Sequence, residues 1–472
     1  MLFNSFEFIL FFLVVAIGYY LLGGGKLCFR NGWLLIASYF FYLNLNPVYG
    51  ILLLAITGLT YGCASYLEKV SSEKAKKQLL AVCLLLNFSS LFIFKYYNFV
   101  NESIFSLMSA CGLRWDVPNL KLLLPVGISF FTFQAAGYII DVYRGNIKAE
   151  KNFLTYALFV SFFPVILAGP IQRAKVLLPQ LKEKHPIAYD NVITGLKMML
   201  WGYFMKLCVA DRLGTYVDSV FNNIPNHNGV SIAIASVFYT IQIYGDFAGY
   251  SLTALGCAKI MGFNLPENFH RPYFSTSIKE FWKRWHIALS SWFMEYLYFP
   301  LGGSRVKYGR YLMNLMIVFL VSGLWHGAAW TFVLWGALHG LYQILEALRK
   351  KYFGEPTYNH WWSKALKMLF VFFLVNMAWI FFRANTIGDA FTAITKIFMN
   401  PGAPFMSPMA MLFGMLSLVI LVVKDCADEF HPSWKLLASE NKVVATIACA
   451  LLAVYVVLFG VLDSSQFIYF QF

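Results

Sequence analysis

Residues 311–348, YLMNLMIVFLVSGLWHGAAWTFVLWGALHGLYQILEAL, form an apolar stretch well beyond the roughly 20 residues that one bilayer crossing takes. Basic segments flank it on both sides, Arg305–Arg310 before and Arg349–Lys351 after. Short loops rich in Lys and Arg stay on the cytoplasmic side, so the stretch must enter the membrane and come back. The natural turning point is Gly323–Ala329, with His326 between Trp325 and Gly327. Counted from Arg310 at about 1.5 Å per residue, His326 lies roughly 24 Å into a hydrocarbon core about 30 Å thick. An ionisable side chain at that depth is a functional candidate by default. The glycines on either side would let a substrate or a helix approach closely. Spacing alone still favours a core histidine at a helix bend slightly over a catalytic one.

The rest of the chain has the same character. Its 472 residues are 59% hydrophobic and 13% charged, against about 25% charged in soluble domains. Composition predicts an all-α polytopic integral membrane protein, one membrane domain over residues 1–472 with roughly ten to thirteen spans at about 20 residues each. The formal charge of +14 is spread over short loops, which fits the positive-inside rule and excludes a nucleic-acid partner. The eight cysteines are scattered singly, with no pattern that would hold a metal. The apolar run from Phe8 to Leu22 reads as a retained first span. With an outside N-terminus, the basic loops Lys26–Arg30, Lys69–Lys77 and Arg144–Lys151 all fall inside.

Parity then fails. The run Phe153–Ala168 is followed by another basic loop, Gln172–Lys184, so a re-entrant hairpin is expected there, interrupted by Pro164. Asn191–Leu213 is mixed, an interfacial helix as easily as a span. Ser231–Met261 is a long run broken by Tyr244–Tyr250.

Ser275–Trp292 has the pattern of an amphipathic helix, with Lys279, Glu280, Lys283 and Arg284 among Phe281, Trp282 and Trp285. His286 on such a helix is expected near the cytoplasmic interface, more often snorkelling or hydrogen-bonding than catalytic. Asp246 lies in an apolar run, and a buried carboxylate must be paired or protonated. It could orient a histidine or pair with Arg284 or Lys283. Ser322 precedes His326 by one turn, which permits a Ser–His nucleophile, although a serine bonded to its own helix is commoner. No nucleophile elbow, phosphate-binding loop, dinucleotide fingerprint or metalloprotease helix occurs. A proton-coupled transporter or flippase using His326 and Asp246 fits the same residues, but the chain shows neither an internal repeat nor paired broken helices.

Residues 282–286, WKRWH, followed by residues 322–327, SGLWHG, resemble the two-histidine signature of the membrane-bound O-acyltransferase (MBOAT) family. Further blocks agree: 124–130 (LPVGISF), 168–171 (AGPI), 244–250 (YGDFAGY) and 266–269 (PENF). With the opening MLFNS, they are similar to the bacterial alginate O-acetylation branch, over nearly the whole chain. The resemblance implies a helical fold with re-entrant segments and a transmembrane tunnel. It implies His326 as the catalytic histidine and His286 as its supporting partner. Trp325, Trp285, Arg284, Lys283, Asp246, Tyr244 and Ser322 would bind substrate or support the site. The implied reaction moves an acyl group, acetyl in the first place, from a cytoplasmic thioester donor (acetyl-CoA or an acyl-carrier protein) towards hydroxyls of a secreted or cell-wall polysaccharide. No bound cofactor or metal is implied. An extracytoplasmic acyl-accepting partner protein and the bacterial inner membrane are. The D-alanyl-transfer branch, with teichoic acid as acceptor, is the nearest rival.

Overall fold

The computed structural model describes all residues except 45, 168, 355–359, 432–436, 438, 462–466 and 469–472, and the side chains of 409 and 410. Ala168, the expected end of the re-entrant run, and most of the C-terminal tail, residues 462–466 and 469–472, therefore lie outside the described residues. Among the described residues every regular element is helical. The chain forms two compact units, Met1–Gly195 with Cys257–Leu265, and Leu196–Gly256 with Pro266–Phe472.

The first unit holds α1 (Phe6–Gly23), α2 (Leu27–Leu43), α3 (Val48–Leu67), α4 (Glu73–Leu91), α5 (Tyr97–Ala110), α6 (Ile128–Tyr143), α7 (Phe153–Ser161), α8 (Phe163–Ile166) and α9 (Ala174–Leu181). Arg30, expected in a short basic loop, lies instead in α2 and is buried, and its guanidinium donates to the Leu181 carbonyl at 2.7 Å. That bond satisfies a carbonyl at the C-terminus of α9, an end that favours cations. Helices α7 and α8 have 9 and 4 residues. At about 1.5 Å per residue neither can cross a bilayer, which is consistent with the expected re-entry. The chain breaks between them at Phe162, and Pro164 opens the second helix, where its missing N–H costs nothing. Gly127, from the LPVGISF block, adopts φ 77° and a Cβ there would lie 2.5 Å from the Ile166 carbonyl oxygen. Only glycine meets both demands.

The second unit takes over within α10 (Tyr189–Tyr203). It continues through a π-helical turn, Phe204–Ala210, into α11 (Asp211–Phe221) and then α12 (Gly229–Ile260). The expected break in α12 is absent, and the helix runs for 32 residues. Gly245 and Gly249 explain this, since a Cβ on either would lie within 2.9 Å of the Met205 or Gly202 carbonyl oxygen. The glycines allow close helix packing rather than a bend.

Further on come α13 (Ile278–Arg284), α14 (Ile287–Phe293), α15 (Tyr308–His326), α16 (Trp330–Phe353), α17 (Trp361–Arg383), α18 (Ile387–Met399), α19 (Pro408–Phe430) and α20 (Lys442–Phe459). The expected turning point between Gly323 and Ala329 is where α15 ends and α16 begins. A Cβ at Gly323 would lie 2.3 Å from the Phe332 carbonyl oxygen, and one at Gly336 would lie 2.3 Å from that of Phe319. The hairpin closes because both positions lack a side chain. Eight helices among the described residues are long and apolar enough to cross a membrane, fewer than the ten to thirteen expected. The chain is a multi-pass membrane protein.

Candidate active site

The expected helix over Ser275–Trp292 does not form as one piece. Ser277 caps α13 by accepting from the Glu280 N–H at 2.9 Å, and Glu280 accepts from the Thr276 N–H at 2.8 Å, a capping-box arrangement shifted by one residue. After only seven residues the helix stops, and His286 takes a left-handed conformation, φ 43° and ψ 54°. A β-carbon in that region is strained by about 1–2 kcal/mol, so the surroundings must impose it. They do so through residues 268–270. The Ile287 N–H donates to the Asn268 carbonyl at 2.9 Å, and the His270 N–H donates to that of Arg284 at 2.9 Å. The Asn268 side chain completes the clamp, with Oδ1 3.2 Å from the Ala288 N–H donor and 3.1 Å from His286 Nδ1.

The break turns His286 inward. It is fully buried, and its hydrogen bond to Asn268 matches the hydrogen-bonding role expected of it. Its ring meets Phe247 edge-on at 4.6 Å, Trp325 at 5.9 Å and His326 at 6.5 Å between centroids. His326, the last residue of α15, is 2% exposed and packs against Trp325 and Trp335, each at 4.9 Å, and Phe382 at 5.5 Å. Two imidazoles 40 positions apart in sequence thus face each other in an aromatic box.

Trp325 touches both histidines, and Trp285 lies one shell out, against Trp379 at 5.2 Å, Phe269 at 5.0 Å and Tyr244 at 6.4 Å. Ser322 is buried in α15, one turn before His326. Arg284 does not reach Asp246. Its guanidinium binds Glu280 at 2.7 Å and Glu429 at 2.9 Å, and Glu429 also accepts from Arg271 at 2.8 Å. Desolvation pushes the Glu280 carboxyl up, but the Thr276 hydrogen bonds and Arg284 outweigh it and hold the group below its ordinary value. Lys283 is exposed.

Asp246 has a different partner from the pair expected. Lys206, on the π-helical turn, lies 2.6 Å from Asp246 and 2.8 Å from Asp211, all three buried. The Ile468 N–H donates to Asp246 at 2.8 Å, and Phe467 stacks on Tyr250 at 4.6 Å. Tyr244 donates to Asp425 at 3.0 Å. Asp246 therefore acts in the fold through Lys206, and its neighbour Phe247 is what touches His286.

The profile of the MBOAT, membrane-bound O-acyltransferase family, matches residues 147–388, which include both histidines. The chain is also 36% identical to Probable alginate O-acetylase AlgI of Pseudomonas aeruginosa, over 84% of this chain and 75% of that one. The chain belongs to the MBOAT family. It is also 36% identical to the peptidoglycan O-acetyltransferase of Helicobacter pylori, over 83% of this chain and 78% of that one. A more remote relative, the teichoic acid D-alanyltransferase of Bacillus subtilis, is 29% identical over 57% of this chain and 71% of its own. Membership answers the transporter alternative: this is an MBOAT acyltransferase.

Two residues of this MBOAT site were missed in the sequence. Asn268 enters the sequence reading only as part of the PENF block. His339, on α16, is fully buried and accepts from the Trp282 indole N–H at 3.3 Å. Its ring stands 5.0 Å from Trp335, the same indole that packs on His326. The signal was available, because His339 lies in the same apolar hairpin as His326 and the argument from membrane depth applies equally to it.

Proposed function

We propose that the chain transfers an acyl group, acetyl in the first place, from a cytoplasmic thioester donor to hydroxyls of a secreted or cell-wall polysaccharide at the bacterial inner membrane. His326 is the general base. It takes the proton of the acceptor or carrier hydroxyl as the oxygen attacks the thioester carbonyl, and the thiolate leaves and is protonated. A positioned base of this kind contributes about 10²–10⁴-fold. His286, held by Asn268, supports the pair, and the aromatic walls exclude water that would hydrolyse the thioester. A tunnel would carry the acyl group to His326 without the donor crossing. The donor is acetyl-CoA or an acyl-carrier protein, and an extracytoplasmic partner protein or the polysaccharide itself accepts the group.

The observation that carries this reading is the 6.5 Å approach of the two imidazoles inside the aromatic box. The names of the two relatives at 36% identity favour acetyl and a polysaccharide acceptor. The teichoic acid relative keeps D-alanyl transfer as the second reading, at lower identity and coverage. Purified protein in nanodiscs, given labelled acetyl-CoA in one reaction and a labelled D-alanyl carrier-protein thioester in another, separates them. Acetyl turnover is expected, and turnover of the D-alanyl thioester alone would overturn the first reading in favour of the second.

A further inference from the structure

A cavity of about 760 Å³ lies within the second unit, walled by α12, α17 and α19. That volume is in the range of ligand pockets, about 300–1,000 Å³. Its walls are almost wholly apolar, among them Ile241, Met368, Phe372, Leu418 and Leu421. Val237, Leu369 and Val422 line it and are 38%, 64% and 43% exposed, so the cavity opens sideways on the apolar outer surface of the helices.

One end is chemically distinct. Lys364 and Trp361, at the start of α17, line it beside Phe430 at the end of α19. The Lys364 ammonium stands 5.8 Å from the Phe430 ring, and Phe274 meets the same ring at 5.7 Å. Trp361 is 82% exposed. Exposed tryptophan and lysine at a helix start are the anchors of a membrane–water interface. This end follows the basic segment Arg349–Lys351, the flank expected on the cytoplasmic side. From Phe430 to Leu418 the slot runs about 18 Å along α19 at 1.5 Å per residue. One leaflet of a roughly 30 Å core is about 15 Å deep. The other polar groups of the slot are internally bonded: Tyr244 donates to Asp425 at 3.0 Å and Tyr273 donates to the Thr240 carbonyl at 2.5 Å.

We infer that this cavity binds one acyl chain of an anionic phospholipid of the cytoplasmic leaflet, with the phosphate on Lys364. Lateral opening, apolar walls, leaflet depth and a cation at the interfacial end together fit that occupant. Tyr244, expected to support the acyl-transfer site, also lines this cavity, but the test of lipid binding does not depend on turnover.

Native mass spectrometry of the purified full-length protein reads it directly, with phosphatidylglycerol and phosphatidylcholine of identical chains as probes. One phosphatidylglycerol is expected per protein, retained about fivefold better than phosphatidylcholine, the size of effect of one lysine near an anionic lipid. Lys364→Gln should abolish that preference. Ala365→Trp, which fills the slot from α17, should remove retention of both lipids at an unchanged melting temperature. Should that variant fail to fold, Val422→Trp fills the slot from α19 and is read the same way. No retained lipid, equal retention of the two lipids by the unaltered protein, or full retention in the filled variant would each overturn the inference.

Discussion

Asn268 Oδ1 lies 3.1 Å from His286 Nδ1 and 3.2 Å from the Ala288 N–H donor. Because the amide N–H can only donate, the shared Asn268 atom is an acceptor, and His286 must donate from Nδ1. In the neutral ring the other nitrogen, Nε2, then carries the lone pair. Asn268 thereby fixes both the tautomer and the left-handed turn of a histidine that faces His326. Asn268→Ala should lower turnover by at least tenfold and cost about 1–3 kcal/mol of stability, the loss from an unsatisfied buried group. Asn268→Asp keeps the acceptor and should restore part of both. Turnover and melting temperature of the two variants, measured together, check this. Equal defects in both would refute the tautomer argument.

The strain at His286 gives a second prediction. His286→Gly and His286→Ala should be comparably impaired in turnover, since both lose the ring. The glycine variant should nevertheless be the more stable by about 1 kcal/mol, because alanine at φ 43° retains the β-carbon penalty. Denaturation curves in one detergent compare them. An alanine variant as stable as the glycine variant would mean that the turn is not strained.

Lys206 holds two buried carboxylates, Asp211 and Asp246. Lys206→Met leaves them facing each other and should destabilise the protein by about 3–5 kcal/mol, the effect of removing one partner of a buried ion pair. Adding Asp246→Asn should recover part of the loss, because one of the two charges is then gone. Yield of folded protein by size-exclusion chromatography is the readout, and no recovery in the double variant would count against this pairing.

The Arg284 cluster sets an acid window. Desolvation pushes Glu280 and Glu429 up, but hydrogen bonds and the arginines hold both below the ordinary glutamate value of about 4.3. Carboxyls lowered in the folded state contribute stability that is present above that value. It is lost as pH falls through the lowered folded values. Melting temperature should therefore drop below about pH 4.3 more steeply in the unaltered protein than in Glu280→Gln/Glu429→Gln. Parallel curves would show that the cluster does not act in this way.

Much of this architecture was legible in the sequence. The basic flanks and Gly323 placed the α15–α16 turn, and the parity failure at Phe153 marked helices too short to span. The motif resemblance singled out the two histidines. What the sequence hid were effects imposed from a distance. The pattern of Lys279, Glu280, Lys283 and Arg284 is that of one amphipathic helix, and it breaks at His286 only because Asn268, 18 positions earlier, supplies competing hydrogen bonds. In the sequence Asp246 could orient a histidine or pair with Arg284 or Lys283, and nothing there points to Lys206. Lys206 wins because a π-helical turn carries its ammonium inward against Asp246. The glycines at 245 and 249 look like a helix break in one dimension and are a packing surface in three.

The most direct test of the central claim is turnover of labelled acetyl-CoA by His326→Ala beside the unaltered protein, both purified in nanodiscs. A loss of about 10²-fold or more at an unchanged melting temperature is the predicted result for removal of a general base. A variant that keeps the unaltered rate would contradict the assignment of His326 as the base.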